Sequence, residues 1–509
     1  ASASASASAS ASASASAIIT KSKSIQSLPL IPHHSDEARR RRRRRELSTD
    51  ISNTDSTNTD STTTASSIDR SHNRKLATTS NDSNTIQLGA LYQGYGTHYI
   101  DLWVGTPPQR QTLIVDTGSG VTAFPCSACD PTICGKGHHI DDFFQESNSS
   151  SYEKVSCENC QRGHCSGSGN GGECKIGMSY QEGSSWSAFE ATDQVYIGGP
   201  HTHGLLSDNG GTSDLDPNHA FAFSFPMTFG CQTKITGLFK TQLADGIMGM
   251  DDAATSFWAQ MFKANIIDTQ QFALCFTRQP SADRKGTEAG AMTMGGVDAR
   301  LHSSPMIYTG RVGSGKGFYN VHVRKIYIRH GSGGDRSSSA SDAQIIPLQV
   351  AEDQLNHGNV IVDSGTTDTY FTRRIATEFN AVWKQLANGR AFGHTGMVLT
   401  ETELLALPTI LIQLAGDEEY NQQLFPKAKG NSGFAGALDP VHPYDVLLAI
   451  PPSHYMEYDD KTKKYVARFY ADEGGGSVLG ANAMMGHDVF FDLDNKRIGW
   501  AESDCDYHE

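Results

Sequence analysis

The stretch "LIVDTGSG" (Leu113–Gly120) places one carboxylate, Asp116, at the end of an apolar run and at the start of a glycine-rich turn. The chain does nearly the same thing 247 residues later in "VIVDSGTT" (Val360–Thr367), around Asp363. Each copy is followed at long range by an apolar-apolar-Gly segment: "DGIMGM" (Asp245–Met250) after the first, "SVLGAN" (Ser477–Asn482) after the second. In such a frame a strand carries the acid to a sharp turn, glycine lets the backbone bend, and nearby N–H and hydroxyl groups fix the carboxylate. A single Asp-Thr-Gly is an ordinary turn former. Two copies in matching frames instead place two carboxylates face to face, where like charges cannot both ionise and one proton is shared. The ionised member can take a proton from water while the protonated one hydrogen-bonds to a substrate carbonyl, with no metal and no covalent intermediate.

From Leu88 on, the sequence consists of short alternating apolar runs broken by Gly, Pro, Asn and Asp, as in "HYIDLWVGTPPQRQTLIVDTGSG" (98–120). This texture predicts an all-β fold with a few short helices. Ile375, Phe379, Val382, Trp383 and Leu386 recur at helical spacing, and "TSFWAQMFKAN" (255–265) is a weaker case; both read as packing helices.

At 509 residues the chain is long enough for two packed domains plus irregular extensions. Residues 1–87 hold an Ala-Ser repeat, seven arginines from Arg39 to Arg45 and a Ser/Thr/Asp-rich tract, and are expected to be disordered; the arginine run reads either as a solvated basic tract or as a processing site in a pro-segment or a tether lying on the acidic body. Twelve of the 42 basic and eight of the 56 acidic residues lie there, which leaves the remainder about eighteen units negative. An acidic body argues against nucleic acid as a partner despite the arginine run. The longest apolar runs, such as "VLLAI" (446–450), fall far short of the roughly 20 residues that cross a bilayer. The chain begins without Met or a signal peptide while its cysteines point to export, which leaves room for a removed signal or a membrane anchor after Glu509.

The ten cysteines are Cys126, Cys129, Cys134, Cys157, Cys160, Cys165, Cys174, Cys231, Cys275 and Cys505. Two Cys-x-x-Cys pairs with His164 raise the question of zinc, but no histidine follows the first pair at finger spacing. Disulfides fit better, because segments such as "CSGSGNGGEC" (165–174) have little core of their own; their connectivity is not legible. The compartment is then oxidising: the secretory pathway or the extracellular space. Asn81 and Asn148 stand in glycosylation triplets, and the His33/His34, His138/His139 and His201 clusters read as surface histidines.

The acid-bearing motifs resemble those of the pepsin family of aspartic endopeptidases, and the resemblance runs from about Leu88 to Cys505. It implies a bilobal all-β fold, with lobes at 88–305 and 306–509, that binds an extended polypeptide in the cleft between them. It also implies a monomer without cofactor or metal. By similarity Asp116 and Asp363 are the catalytic pair, Ser119 and Thr366 hold the outer carboxylate oxygens, and Thr117 and Ser364 cross-brace the loops beside Gly118 and Gly365. "SYQEGSS" (179–185) resembles the flap over the cleft, with Tyr180 and Gly183, preceded by a cysteine-rich insert at 126–174. Phe124, in "TAFPC", is read at the position of the family's flap-binding tryptophan, and it has no donor; Trp186 is the alternative partner for Tyr180. Gln181 and Glu182 put a carboxylate at the flap tip, which favours a basic side chain in the substrate. "FGCQTKITGLFKTQLADGIMGM" (229–250), "FALCF" (272–276) and the insert are similar to the nepenthesin and plasmepsin V-like branch. The rival reading is a catalytically silent binding or inhibitor protein on the same fold; such a protein is expected to lose one Asp, a turn glycine or the flap tyrosine.

Overall fold

The computed structural model describes residues 87–93, 96–167, 172–180, 182–198, 223–277, 288–313, 317–331, 344–427, 433–436, 438–459 and 462–505. The arginine run, Asn81, Gln181, His33, His34 and His201 lie outside these residues, as does the rest of the segment 1–87 except Gln87.

The internal repeat of the sequence is a repeat of topology. Strand Gln109–Asp116 is flanked by His98–Val104, antiparallel, and by Gly246–Gly249, parallel, with Ile247 opposite Ile114 and Gly249 opposite Asp116. With neighbours on both edges and packing on both faces, the end of this strand is buried throughout, which is why "LIVD" reads as continuous rather than alternating. In the second half, Val360–Val362 lies parallel to Ser477–Leu479, with Val362 opposite Leu479. Each apolar-apolar-Gly strand is also crossed by the chain leaving the acidic turn: Ala123 pairs antiparallel with Ile247, and Tyr370 with Val478. The glycine ending each strand is required by that crossing, because a Cβ on Gly249 would collide with Val121 N and one on Gly480 with Asp368 O.

The two halves share a sheet. Strands His487–Asp492 and Arg497–Glu502, near the C-terminus, extend the sheet of the first half through Gln271–Phe276, and Ile307–Gly310 closes its edge. The helix Ala376–Leu386 buries Phe379, Val382, Trp383 and Leu386, and Phe257–Lys263 buries Phe257, Trp258 and Met261, so the helically spaced apolar residues serve packing. Among the described residues no helix is long and apolar enough to cross a membrane.

All ten cysteines are paired: Cys126–Cys231, Cys129–Cys134, Cys157–Cys165, Cys160–Cys174 and Cys275–Cys505. A disulfide sulfur has no thiolate to offer a metal ion, so the two sulfur-carboxylate clusters, at Cys126/Cys231/Glu146 and Cys160/Cys174/Glu190, are not thiolate sites. The second cluster has a structural use. Buried Glu190 accepts hydrogen bonds from the N–H groups of Gln161, Arg162 and Gly163, at 2.7, 2.7 and 2.6 Å, and so pins the cysteine-rich loop to the long strand Ser185–Ile197.

A second buried acid ties the first acid-bearing strand to its parallel neighbour. Asp245 Oδ2 accepts from Thr112 N and Thr112 Oγ1, both at 2.6 Å, and Oδ1 accepts from Asp141 N at 3.0 Å. Burial pushes the Asp245 carboxyl up to about 7; the Thr112 hydrogen bonds oppose the rise and the Asp141 charge adds to it. An unfolded aspartate titrates near ~3.9. Between there and about 7 the folded chain holds a proton that the unfolded chain has released, so stability falls as pH rises. The contribution is complete below about pH 4 and gone above about pH 7. Asp245→Asn is expected to pay a constant cost, since its Nδ2 faces Asp141 N–H, and to flatten the loss of thermal stability across that window by a few kcal/mol, read from melting curves at stepped pH.

Candidate active site

The two turns meet with nearly two-fold symmetry. Asp116 Oδ1 accepts from Gly118 N at 2.9 Å, and Asp363 Oδ1 accepts from Gly365 N at 3.0 Å. The other oxygen of each takes a hydroxyl: Ser119 Oγ donates to Asp116 Oδ2, and Thr366 Oγ1 to Asp363 Oδ2 at 2.6 Å. Each glycine lies against the opposite acid. A Cβ on Gly118 would come 2.8 Å from both oxygens of Asp363, and one on Gly365 would run into Asp116 Oδ1. Only glycine therefore permits the two carboxyls to approach.

Cross-bracing lies underneath. Ser364 Oγ accepts from Thr117 N at 3.1 Å and donates to Val115 O at 2.8 Å. Thr117 Oγ1 accepts from Ser364 N at 2.9 Å and donates to Val362 O at 3.1 Å. Both hydroxyls are buried, so each satisfies one N–H and one C=O of the opposite turn in a place water does not reach. Burial, and then the Asp363 charge beside it, hold the Asp116 carboxyl well above the usual range against the hydrogen bonds from Ser119 and Gly118. Two buried carboxyls, each acting on the other across the turn glycines, favour a singly protonated pair.

The hairpin of Glu173–Ser179 and Ser185–Ile197 carries Tyr180 and Glu182 at its tip, within reach of the charges of Asp116 and Asp363 respectively. Its tip is closed by hydrogen bonds from Tyr180 N to Ser184 O and from Gly183 N to Tyr180 O, at 2.8 and 3.0 Å, with Gly183 in the left-handed region at φ +92°. The half-buried Tyr180 ring packs edge-on to Phe239, centroids 5.1 Å apart, and its hydroxyl accepts from Trp186 Nε1 at 3.2 Å. Burial and the Asp116 charge raise the Tyr180 hydroxyl, keeping its proton on. Burial also raises the Glu182 carboxyl, and Asp363 adds to the rise, so Glu182 at the flap tip senses the acidic pair.

One sequence reading is corrected here. Phe124 does not face the flap: alternation along Ala123–Pro125 turns it into a cluster with Phe229 and Phe144, centroids 4.6 and 5.9 Å away. The residue turned toward the flap is Ala123, which shares a core cluster with Trp186, Ile176, Ile247 and Tyr180. The motif frame alone left this register one residue open. Also unforeseen was Phe239, whose contact with Tyr180 joins segments 59 residues apart with no local pattern to announce it.

Comparison with known proteins identifies the class. Residues 224–503 match the eukaryotic aspartyl protease family, and residues 98–296 match the xylanase inhibitor N-terminal family. The chain belongs to the eukaryotic aspartyl protease family, and its mostly β architecture is the pepsin-like fold. Aspartic protease 5 of Toxoplasma gondii is 29% identical over 235 residues, 43% of this chain but only 21% of that protein. Aspartyl protease family protein 2 of Arabidopsis thaliana is 22% identical over 431 residues, covering 82% of this chain and 73% of its own. Aspartic proteinase nepenthesin-1 of Nepenthes gracilis is 25% identical over 346 residues, 65% and 67% of the two chains.

The cross-brace can be tested without a substrate. Ser364→Ala and Thr117→Val each strand one N–H and one C=O of the opposite turn, and each is expected to lower unfolding free energy by about 2–4 kcal/mol in urea titrations. The hydroxyl-keeping controls Ser364→Thr and Thr117→Ser are expected to lose about 1 kcal/mol or less.

Proposed function

We propose that the chain is an aspartic endopeptidase whose lobes, 88–305 and 306–509, bind an extended polypeptide between them. The observation that carries this reading is the pair Asp116/Asp363, held face to face by Gly118 and Gly365 and braced by Thr117 and Ser364. One carboxyl of the pair, ionised, takes a proton from a water seated between them. The other, protonated, hydrogen-bonds to the scissile carbonyl, whose carbon accepts the hydroxide. Transfer of a proton to the amide nitrogen then breaks the C–N bond and leaves a new carboxyl and a new amine. The flap, closing through Tyr180, excludes bulk water while this happens.

Within the family we place the chain in the nepenthesin and plasmepsin V-like branch, on the cysteine-rich insert between Cys126 and Cys174 and the segments around Cys231 and Cys275. Five disulfides favour the secretory pathway or the extracellular space. Glu182, next to the flap tip, favours substrates with a basic side chain where its carboxyl is ionised. The rival reading, a silent inhibitor-like protein, draws support from the first half's match to the xylanase inhibitor N-terminal family. Against it stand both aspartates, both turn glycines and the flap tyrosine, all in place.

The test is cleavage of a diverse peptide library, read by mass spectrometry from acid to neutral pH. The chain is expected to cut, and Asp116→Asn and Asp363→Asn to lose on the order of 10³-fold in rate. No cleavage with the disulfides intact, also after removal of residues 1–87, turns the conclusion to the binding protein. In the same library Glu182→Gln is expected to reduce the preference for Lys/Arg over Ala about tenfold, roughly 1.4 kcal/mol.

A further inference from the structure

The triplet Asn148-Ser149-Ser150, inside the cysteine-rich insert, has no part in the chemistry of the acidic pair. Asparagine, then a residue other than proline, then serine is the acceptor pattern for an N-linked oligosaccharide. The chain holds two such triplets, and the other, at Asn81, lies outside the described residues. Triplets of this kind also arise by chance, so the surroundings of Asn148 decide whether a glycan fits there.

Asn148 ends the single turn Glu146–Asn148 and is exposed. Its backbone N–H donates to Gln145 O at 3.0 Å, and its carboxamide joins no hydrogen bond among the described residues. The serines that follow tie the segment down. Ser149 Oγ accepts from Thr106 N at 2.9 Å, and a Cβ on Gly105 would meet the same oxygen at 2.9 Å. Ser150 N and Ser150 Oγ both donate to Thr106 O, at 2.9 and 3.1 Å, and Ser151 Oγ donates to Oδ1 of the buried Asp193 at 2.6 Å. Residues 149–151 are thus clamped to the turn at 105–108, which leaves the Asn148 side chain exposed on a fixed base.

This place is also clear of the acidic pair. The turn at 105–108 joins His98–Val104 to Gln109–Asp116, with Val104 opposite Gln109, and so lies at the end of the acid-bearing strand remote from Asp116. At about 3.4 Å per residue, that strand separates the two by roughly 20 Å. A large polar group on Asn148 therefore projects into solvent without covering the carboxyls.

We propose that Asn148 carries an N-linked oligosaccharide. Its carboxamide nitrogen bonds to the anomeric carbon of a glycan delivered on a lipid diphosphate, the bond from that carbon to the diphosphate oxygen breaks, and one amide proton is released; nothing is oxidised or reduced. The glycan, bulky and solvated, keeps this part of the insert from packing against another chain and leaves the acidic pair open. The proposal rests on the secretory-pathway reading, which the five disulfides favour, and not on the endopeptidase reading.

The test uses the full chain recovered from the secretory pathway of a eukaryotic cell. Trypsin releases residues 137–154, bounded by Lys136 and Lys154, as a peptide that contains Asn148 and no cysteine, so its mass is read without opening a disulfide. Most of this peptide is expected to carry hexose and N-acetylhexosamine, and peptide N-glycosidase in heavy-oxygen water is expected to remove them and leave one heavy oxygen at position 148. Asn148→Gln and Ser150→Ala are each expected to lose the glycan, and Ser150→Thr to keep it. Unmodified peptide as the main form overturns the proposal: with all ten cysteines paired the secretory-pathway reading survives, and with free cysteines both fall. A chain that bears the glycan yet cleaves no peptide overturns the endopeptidase reading and leaves this one standing.

Discussion

The exchange of hydroxyls between Thr117 and Ser364 is the constraint on which the rest of this structure depends. Each side chain reaches across to the other turn and satisfies a backbone donor and a backbone acceptor there, four hydrogen bonds in all between residues about half the chain apart. Placing Asp116 and Asp363 side by side is electrostatically unfavourable, and burial makes it more so. The brace holds the two turns together against that repulsion, and glycine at 118 and 365 removes the atoms that would otherwise keep them apart. The parallel strands beneath, ending in Gly249 and Gly480, aim both turns at the same point.

Around this symmetric centre the two halves diverge. The second half fills the space beside its apolar-apolar-Gly strand with stacked tyrosines, while the first leaves it to an indole from the flap. The first half also carries the cysteine-rich insert, held by four disulfides and by Glu190, and a hairpin with Glu182 at its tip. The symmetric core thus holds the acidic pair, and the asymmetry lies in what surrounds it.

The sequence made the core legible because its signals are local. Apolar strand, acid, hydroxyl and glycine follow one another within eight residues, and the repetition of that frame told more than either copy did. The same holds for the helix at 376–386, whose periodicity is self-contained. What was not legible depended on register or on distance. A shift of one residue along a strand reverses which side chain faces inward: Phe124, read at the position of the family's flap-binding tryptophan, packs on Phe229 and Phe144, and it is Ala123 that shares a cluster with Trp186 and Tyr180. Cysteine pairing, the Phe239 contact and the three N–H groups on Glu190 are long-range consequences of folding with no spacing rule behind them. Asp245 was visible as part of "DGIMGM", yet nothing local showed that its carboxyl is buried against Thr112.

The central claim is that the two acids share one proton and act as a unit. The most direct test is the pH dependence of kcat/KM for a peptide without ionisable side chains, measured over the range in which the folded chain is stable. The account predicts a bell with two apparent pKa values, one below and one above that of an ordinary carboxyl, which belong to the pair and not to either residue. A profile governed by a single ionisation, or one that keeps either limb unchanged in Asp116→Asn or Asp363→Asn, would contradict it.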